Sequence, residues 1–73
     1  MVVALHSWRS RDPCPIKKGD IGLVVRAYVK QFTIAGKTVF EKRIDVLFDS
    51  KVHKDLISPD NIPPSTFLKW LGS

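Results

Sequence analysis

The sequence predicts an all-β fold: a small antiparallel barrel of about five short strands with a one-turn helix near the C-terminus. Three observations carry that expectation. The chain has 73 residues, 44% of them hydrophobic, a globular composition in a length that supports one small core. From Ile21 to Ile34 the side chains alternate, with Ile21, Leu23, Val25, Ala27 and Val29 on one parity and Arg26, Tyr28, Lys30 and Phe32 on the other. Period-two alternation is the mark of a half-buried strand. The remaining apolar runs are too short, and too interrupted by proline and glycine, to leave room for crossover helices. Closing the sheet into a barrel removes its edges.

The chain divides into strands and turns. "VVALHSW", residues 2 to 8, reads as a first strand. "RSRDPCPIKKGD" is a polar loop ending in a turn at Gly19-Asp20. After the long alternating strand, "AGKT" reads as a hairpin loop over Ala35 to Thr38, and "VFEKRIDVLF" returns. That loop opposes Val25 to Phe48, Ala27 to Val46 and Val29 to Ile44, so the apolar faces coincide. Gln31 and Lys42 fall together near the tip, which suggests that the tip runs beyond the core. "SKVHKDLI" supplies a tight turn and a fourth strand, and "SPDNIPP" a one-turn helix or bend whose prolines prevent a ladder. "STFLKWLGS" reads as a short helix, with Ser65 as its N-cap, Phe67 and Trp70 three apart, and Gly72 as its stop. The division is therefore a barrel over residues 1–64 and a helical turn or tail over 65–73 that packs on it.

Composition narrows the function classes. No apolar stretch approaches the roughly 20 residues needed to cross a bilayer, and "MVVALHSWR" has no basic segment ahead of its apolar run. A cytoplasmic protein without membrane partners is the expectation. The single Cys14 allows no internal disulfide. His6, Cys14 and His53 lack the paired spacing that marks zinc sites, and no group is spaced to orient a nucleophile, so neither a metal, nor a cofactor, nor catalysis is expected. The net charge of +5 lies wholly in the first half. There Arg9, Arg11, Lys17, Lys18, Arg26, Lys30 and Lys37 face only Asp12 and Asp20. A positive patch attracts phosphates or acidic protein surfaces, and it also serves plain solubility.

The succession "VALHSW", polar loop, "IKKGDIGLVV", hairpin, "IDVLF", short strand and "SPDNIP" resembles the Src-homology-3-like barrel superfamily over about residues 2 to 63. The resemblance implies a small barrel used as a binding module. It is not a good match to the peptide-binding members. His6, Ser7 and Trp8 stand where that family pairs tyrosines, and basic "RSRDPCPIKKGD" replaces its acidic loop. "GDIGLVV" is also similar to RNA-binding barrels of the ribosome and transcription machinery. "GLVV…VLFD…H…SPDNI" is similar to accessory-subunit barrels of photosystems and ferredoxin-dependent reductases, and to small barrels of tailed phages.

Two surfaces are candidates. Trp8, Arg9, Arg11, Lys17 and Lys18 set four cations beside an indole, a composition suited to phosphate contact or to docking on an acidic protein. Arg26, Tyr28 and Lys30 place an aromatic ring between two cations, the arrangement that stacks a base. Asp45 and Glu41 are nearby, and ordinary cross-strand charge pairing explains that face as well. Phe32, Leu47, Phe67, Trp70 and Leu71 are the candidates for an apolar protein interface. The leading expectation is nucleic-acid binding of low sequence specificity; the rival is a protein–protein adaptor, possible oligomerisation included.

Overall fold

A computed structural model describes residues 1–9, 14–61 and 66–72. Its strands are β1 (Val2–Ala4), β2 (Trp8–Arg9), β3 (Pro15–Ile16), β4 (Ile21–Ile34), β5 (Lys37–Phe48), β6 (Lys51–Ile57) and β7 (Leu68–Trp70). All pairings are antiparallel. Five strands form one sheet in the order β6-β5-β4-β1-β7, and β2 and β3 form a separate two-stranded ribbon. The all-β class is as expected, but the barrel is not closed. β6 and β7 are opposite edges of the sheet, and near the gap between them the Trp70 indole N–H donates to Asp60 Oδ1 at 2.7 Å. Among the described residues no helix is long and apolar enough to cross a membrane.

The C-terminal helix is replaced by β7. The spacing of Phe67 and Trp70 suits a helical turn, but a strand puts Leu68 and Trp70 on one face instead. Leu68 is then buried opposite Ala4, and Trp70 lies opposite Val2. The positive φ of 74° at Gly72 comes just after that strand. The expected Ser65 cap lies outside the described residues. The first strand also breaks earlier than expected, turning at Leu5–Ser7 so that Trp8 can pair with Ile16.

The central hairpin differs in register. Its loop is two residues, Ala35 and Gly36, both at positive φ (52° and 76°), and it opposes Ile34 to Lys37. That is the geometry whose twist matches the flanking strands. The pairing is therefore shifted by two from the expected one, with Ala27 opposite Ile44, Val29 opposite Lys42 and Gln31 opposite Phe40. A second correction is larger. The register shifts between Val24 and Arg26, so Val25 is an extra residue in β4. A bulge reverses parity beyond it. Gly22 and Val24 share the inner face with Val46, and Ala27 shares it with Ile44. Ile21 and Leu23 are left on the outer face, 55% and 49% exposed, although they have the parity of Ala27 and Val29.

The core is small: Val2, Ala4, Ile16, Ile44, Val46, Phe48, Leu56 and Leu68, with Trp8 and Val24 packed against it. His53 is buried beside them, its ring edge-on to Phe48 at 5.7 Å. Gly22 is where β4 crosses this core. A Cβ there would stand 2.8 Å from the Phe48 ring and closer still to Val46, so no side chain fits. Gly22→Ala is expected to lower stability by about 1–3 kcal/mol through overpacking, read as a fall in the urea midpoint. An unchanged midpoint would show that this crossing has room for a methyl group.

Candidate interaction surface

The basic loop is only partly assembled into a site. Arg9 is exposed on β2 opposite Pro15, and Lys17 and Lys18 are exposed after β3. The turn that carries the lysines is held by the backbone. Lys17 N–H donates to Asp20 Oδ2 at 2.9 Å, and Lys18 N–H donates to Ser7 Oγ at 3.0 Å. Arg11 lies outside the described residues. Trp8 does not stand free between these cations. It is half-buried, packs on the core, and meets the Phe67 ring at 5.4 Å and 52°. Its indole nitrogen is buried with no hydrogen-bond partner among the described residues. The ring joins the β2–β3 ribbon to the residue before β7.

The outer face beyond the bulge carries a polar network instead of an open stacking platform. Arg26 opposes Asp45, Tyr28 opposes Arg43, Lys30 opposes Glu41 and Phe32 opposes Val39. Asp45 is 7% exposed. Its Oδ1 accepts the Asp55 backbone N–H at 2.9 Å and the Tyr28 hydroxyl at 3.2 Å. Asp55 stands at φ 62° where the β5–β6 register shifts. It accepts the same hydroxyl at 3.1 Å and the Lys30 ammonium at 2.6 Å, and its carbonyl accepts from Arg43 at 3.1 Å. The rings are already occupied by cations of their own chain: Arg26 over Tyr28 at 5.0 Å, and Lys30 and Arg43 near Phe32 at 5.6 and 5.5 Å. Neither Asp45 nor Asp55 stands out in the sequence as a hub, because a bulge brings the second within reach of the first.

This network sets two protonation states. Burial, the hydrogen bond to Asp55 and the charge of Asp45 push the Tyr28 phenol up to about 12. The hydrogen bond from Lys30 holds the Asp55 carboxyl below its ordinary value, outweighing the burial that opposes it. A raised phenol pKa means that its contribution to stability is whole below about pH 10 and is lost as pH rises toward 12. The Asp55 contribution is whole above the ordinary carboxylate pKa and is lost as pH falls through the lowered one. Tyr28 is the only tyrosine, so its ionisation can be followed by ultraviolet absorbance alone. The expected midpoint is about 12 in the native chain and clearly lower in Asp55→Asn, with circular dichroism reporting the fold. A native midpoint at the ordinary 10.0 would mean that the hydroxyl is solvated.

Apolar exposure among the described residues is highest elsewhere, mostly on residues that alternation assigns to the interior or that no sequence signal singles out. Beyond Ala27 and Ile44 the β4–β5 hairpin leaves the core as an arm. Val29, Ile34 and Phe40 on it are 60%, 61% and 67% exposed. Val29 and Phe40 are diagonal neighbours on the arm's inner face. At its root lies a cleft of about 290 Å³ lined by Ala27, Val29, Lys42, Ile44, Asp60 and Trp70 among others. Of the interface residues expected from the sequence, Trp70 belongs to this cleft. Phe32 is half-buried among cations, and Leu47 is half-buried on the outer face between Leu23 and Val52. Phe67 stacks on Trp8, and Leu71 is 40% exposed with its N–H on the Met1 carbonyl at 2.9 Å. One signal for the arm is present in the sequence, since Gln31 and Lys42 interrupt the apolar parity where the core ends.

No protein-family model, curated protein or solved structure matches this chain.

Proposed function

We propose that the protein is a non-catalytic protein-binding module whose contact surface is the projecting β4–β5 arm and the cleft at its root. One observation carries the reading: Val29 and Phe40 on the inner face and Ile34 on the outer face stand 60–67% exposed on the arm, while the core among the described residues holds eight buried apolar residues. Exposed apolar side chains gathered on one element mark a contact surface. The meander order, with the first strand beside the last, supports counting the sheet as an open relative of the Src-homology-3-like barrels.

The rival, nucleic-acid binding, draws on exposed Arg9, Lys17, Lys18 and Arg26. It has the weaker support of the two, because Trp8 is packed inward and Tyr28 and Lys30 are engaged by carboxylates.

Two measurements on the same protein separate these readings. Immobilised native chain and a Val29→Glu/Phe40→Glu variant are compared for the proteins they retain from cell lysate. Labelled oligonucleotides are titrated in parallel across a salt series. The expected outcome is retention that the variant loses, with no oligonucleotide binding. Equal retention by both chains, or oligonucleotide affinity with a steep log–log salt slope, would overturn it.

A further inference from the structure

The two edges of the arm are treated differently. On β5, Lys42 N–H donates to Asn61 Oδ1 at 2.9 Å, and the Lys42 carbonyl accepts from Ser58 N–H at 3.1 Å and from Asn61 Nδ2 at 3.0 Å. Ser58 and Asn61, just after β6, thus cap that edge at its root, at Lys42. These bonds also fix which backbone groups point outward. In an antiparallel ladder, opposed residues alternate between pairs that bond each other and pairs that do not. Lys42 bonds outward, so the Lys42–Val29 pair is of the second kind, and Val29, Gln31 and Thr33 likewise turn N–H and C=O away from β5.

On the β4 side those groups meet no strand. β1 pairs with β4 only at Ile21 and Gly22, and among the described residues no backbone hydrogen bond reaches the outer edge from Val24 to Ile34. From Arg26 to Ile34, beyond the bulge, this edge is regular, free of proline and rich in β-branched and aromatic residues. An edge of that kind is a template for another strand.

We propose that this edge pairs antiparallel with the same edge of a second copy, across a two-fold axis at Gln31. The inference rests on the protein-binding reading and names its partner. The register follows from what each alternative opposes. Centring on Tyr28 sets Arg26 against the partner's Lys30, and centring on Lys30 sets two lysines face to face; like charges directly opposed are unfavourable. Centring on Val29 carries the partner's Gly36 up to Gly22, the place that Val2 occupies. Centring on Gln31 meets neither obstacle. Gln31 faces its own copy, and Val29 faces the partner's Thr33. These three outward-turned pairs exchange about six backbone hydrogen bonds. On the outer face, Lys30 comes opposite the partner's Phe32, and exposed Ile34 opposite the partner's Tyr28. The contact is isologous, so it closes at two copies.

The test is sedimentation equilibrium over a concentration series up to about 1 mM, the limit at which association still has a free energy near 4 kcal/mol. The native chain is expected to approach twice its monomer mass. Gln31→Pro removes one outward N–H and no β4–β5 bond, and it should weaken the dimer at least tenfold. Should proline disturb the arm, Gln31→Lys places like charges at the axis with the ladder intact, and the same loss is expected. In a Cys14→Ser background, Gln31→Cys should cross-link on mild oxidation, because the Cα separation of such a pair, about 5.5 Å, fits a disulfide; Ala27→Cys should not. The chain carries +5, so added salt should tighten the dimer by screening repulsion. A monomer at every concentration, or a dimer indifferent to both Gln31 variants, overturns the inference. If the native chain is monomeric while Val29- and Phe40-dependent partners are still retained, the protein-binding reading survives and the second copy alone is rejected.

Discussion

The arrangement of the molecule depends on one buried carboxylate, Asp45. A charge at that depth needs hydrogen-bond donors, and here its Oδ1 accepts the Asp55 backbone N–H and the Tyr28 hydroxyl, whose one proton it shares with Asp55. Both donors reach it through irregularities in the ladders on either side. β4 carries its extra residue at Val25, and β6 turns through positive φ at Asp55. The two bulges bracket the carboxylate, and they decide which side chains face inward along both strands. Bulges also sharpen local twist, so this is where the sheet bends around its core and where the arm departs from it.

A division of labour runs along this single pair of strands. Before the bulge, Gly22 and Val24 lie over Val46 and Phe48 and belong to the core. Beyond it, the same hairpin continues with little beneath it, and its apolar residues serve no interior. The polar network on the outer face stiffens this junction by tying β4 to β6 through Asp55, across the intervening β5. An arm held at its root by partly buried hydrogen bonds presents its surface in a defined direction, which lowers the ordering cost of any association.

The all-β class, the long central hairpin and the terminal bend are legible in the sequence, because period-two alternation and proline placement are local properties. The face that alternation assigns is not local. Ile21, Leu23, Ala27 and Val29 share a parity, yet the extra residue at Val25 puts the first two and the last two on opposite sides of the sheet. Nothing in the composition of "LVVRA" marks the insertion, since Val25 is as good a strand residue as its neighbours. The hairpin loop is hidden for a related reason. Ala35 adopts the left-handed conformation that the two-residue turn requires, a role for which asparagine or glycine is the usual signal. Trp8 is a neighbour of cations along the chain, and the sequence shows that much of its setting. That it turns inward is decided by Ile16 and Phe67, its partners across a ribbon and across the fold.

The topology has a consequence for how the chain assembles. The β4–β5 hairpin closes through Ala35 and Gly36, so its pairing is local and costs little loop entropy. The β1–β7 pairing joins Val2 to Trp70, almost the full span of the chain. It therefore carries the largest closure cost of the strand pairings among the described residues, and the rows it completes supply Val2, Ala4 and Leu68 to the core. The arm is thus the part of the fold that can form first with the least help, and the core is sealed by the contact that is entropically most remote. Until that contact is made, the free edge of β4 is flanked by apolar residues not yet buried, so concentration during folding bears on this chain more than its size alone would suggest.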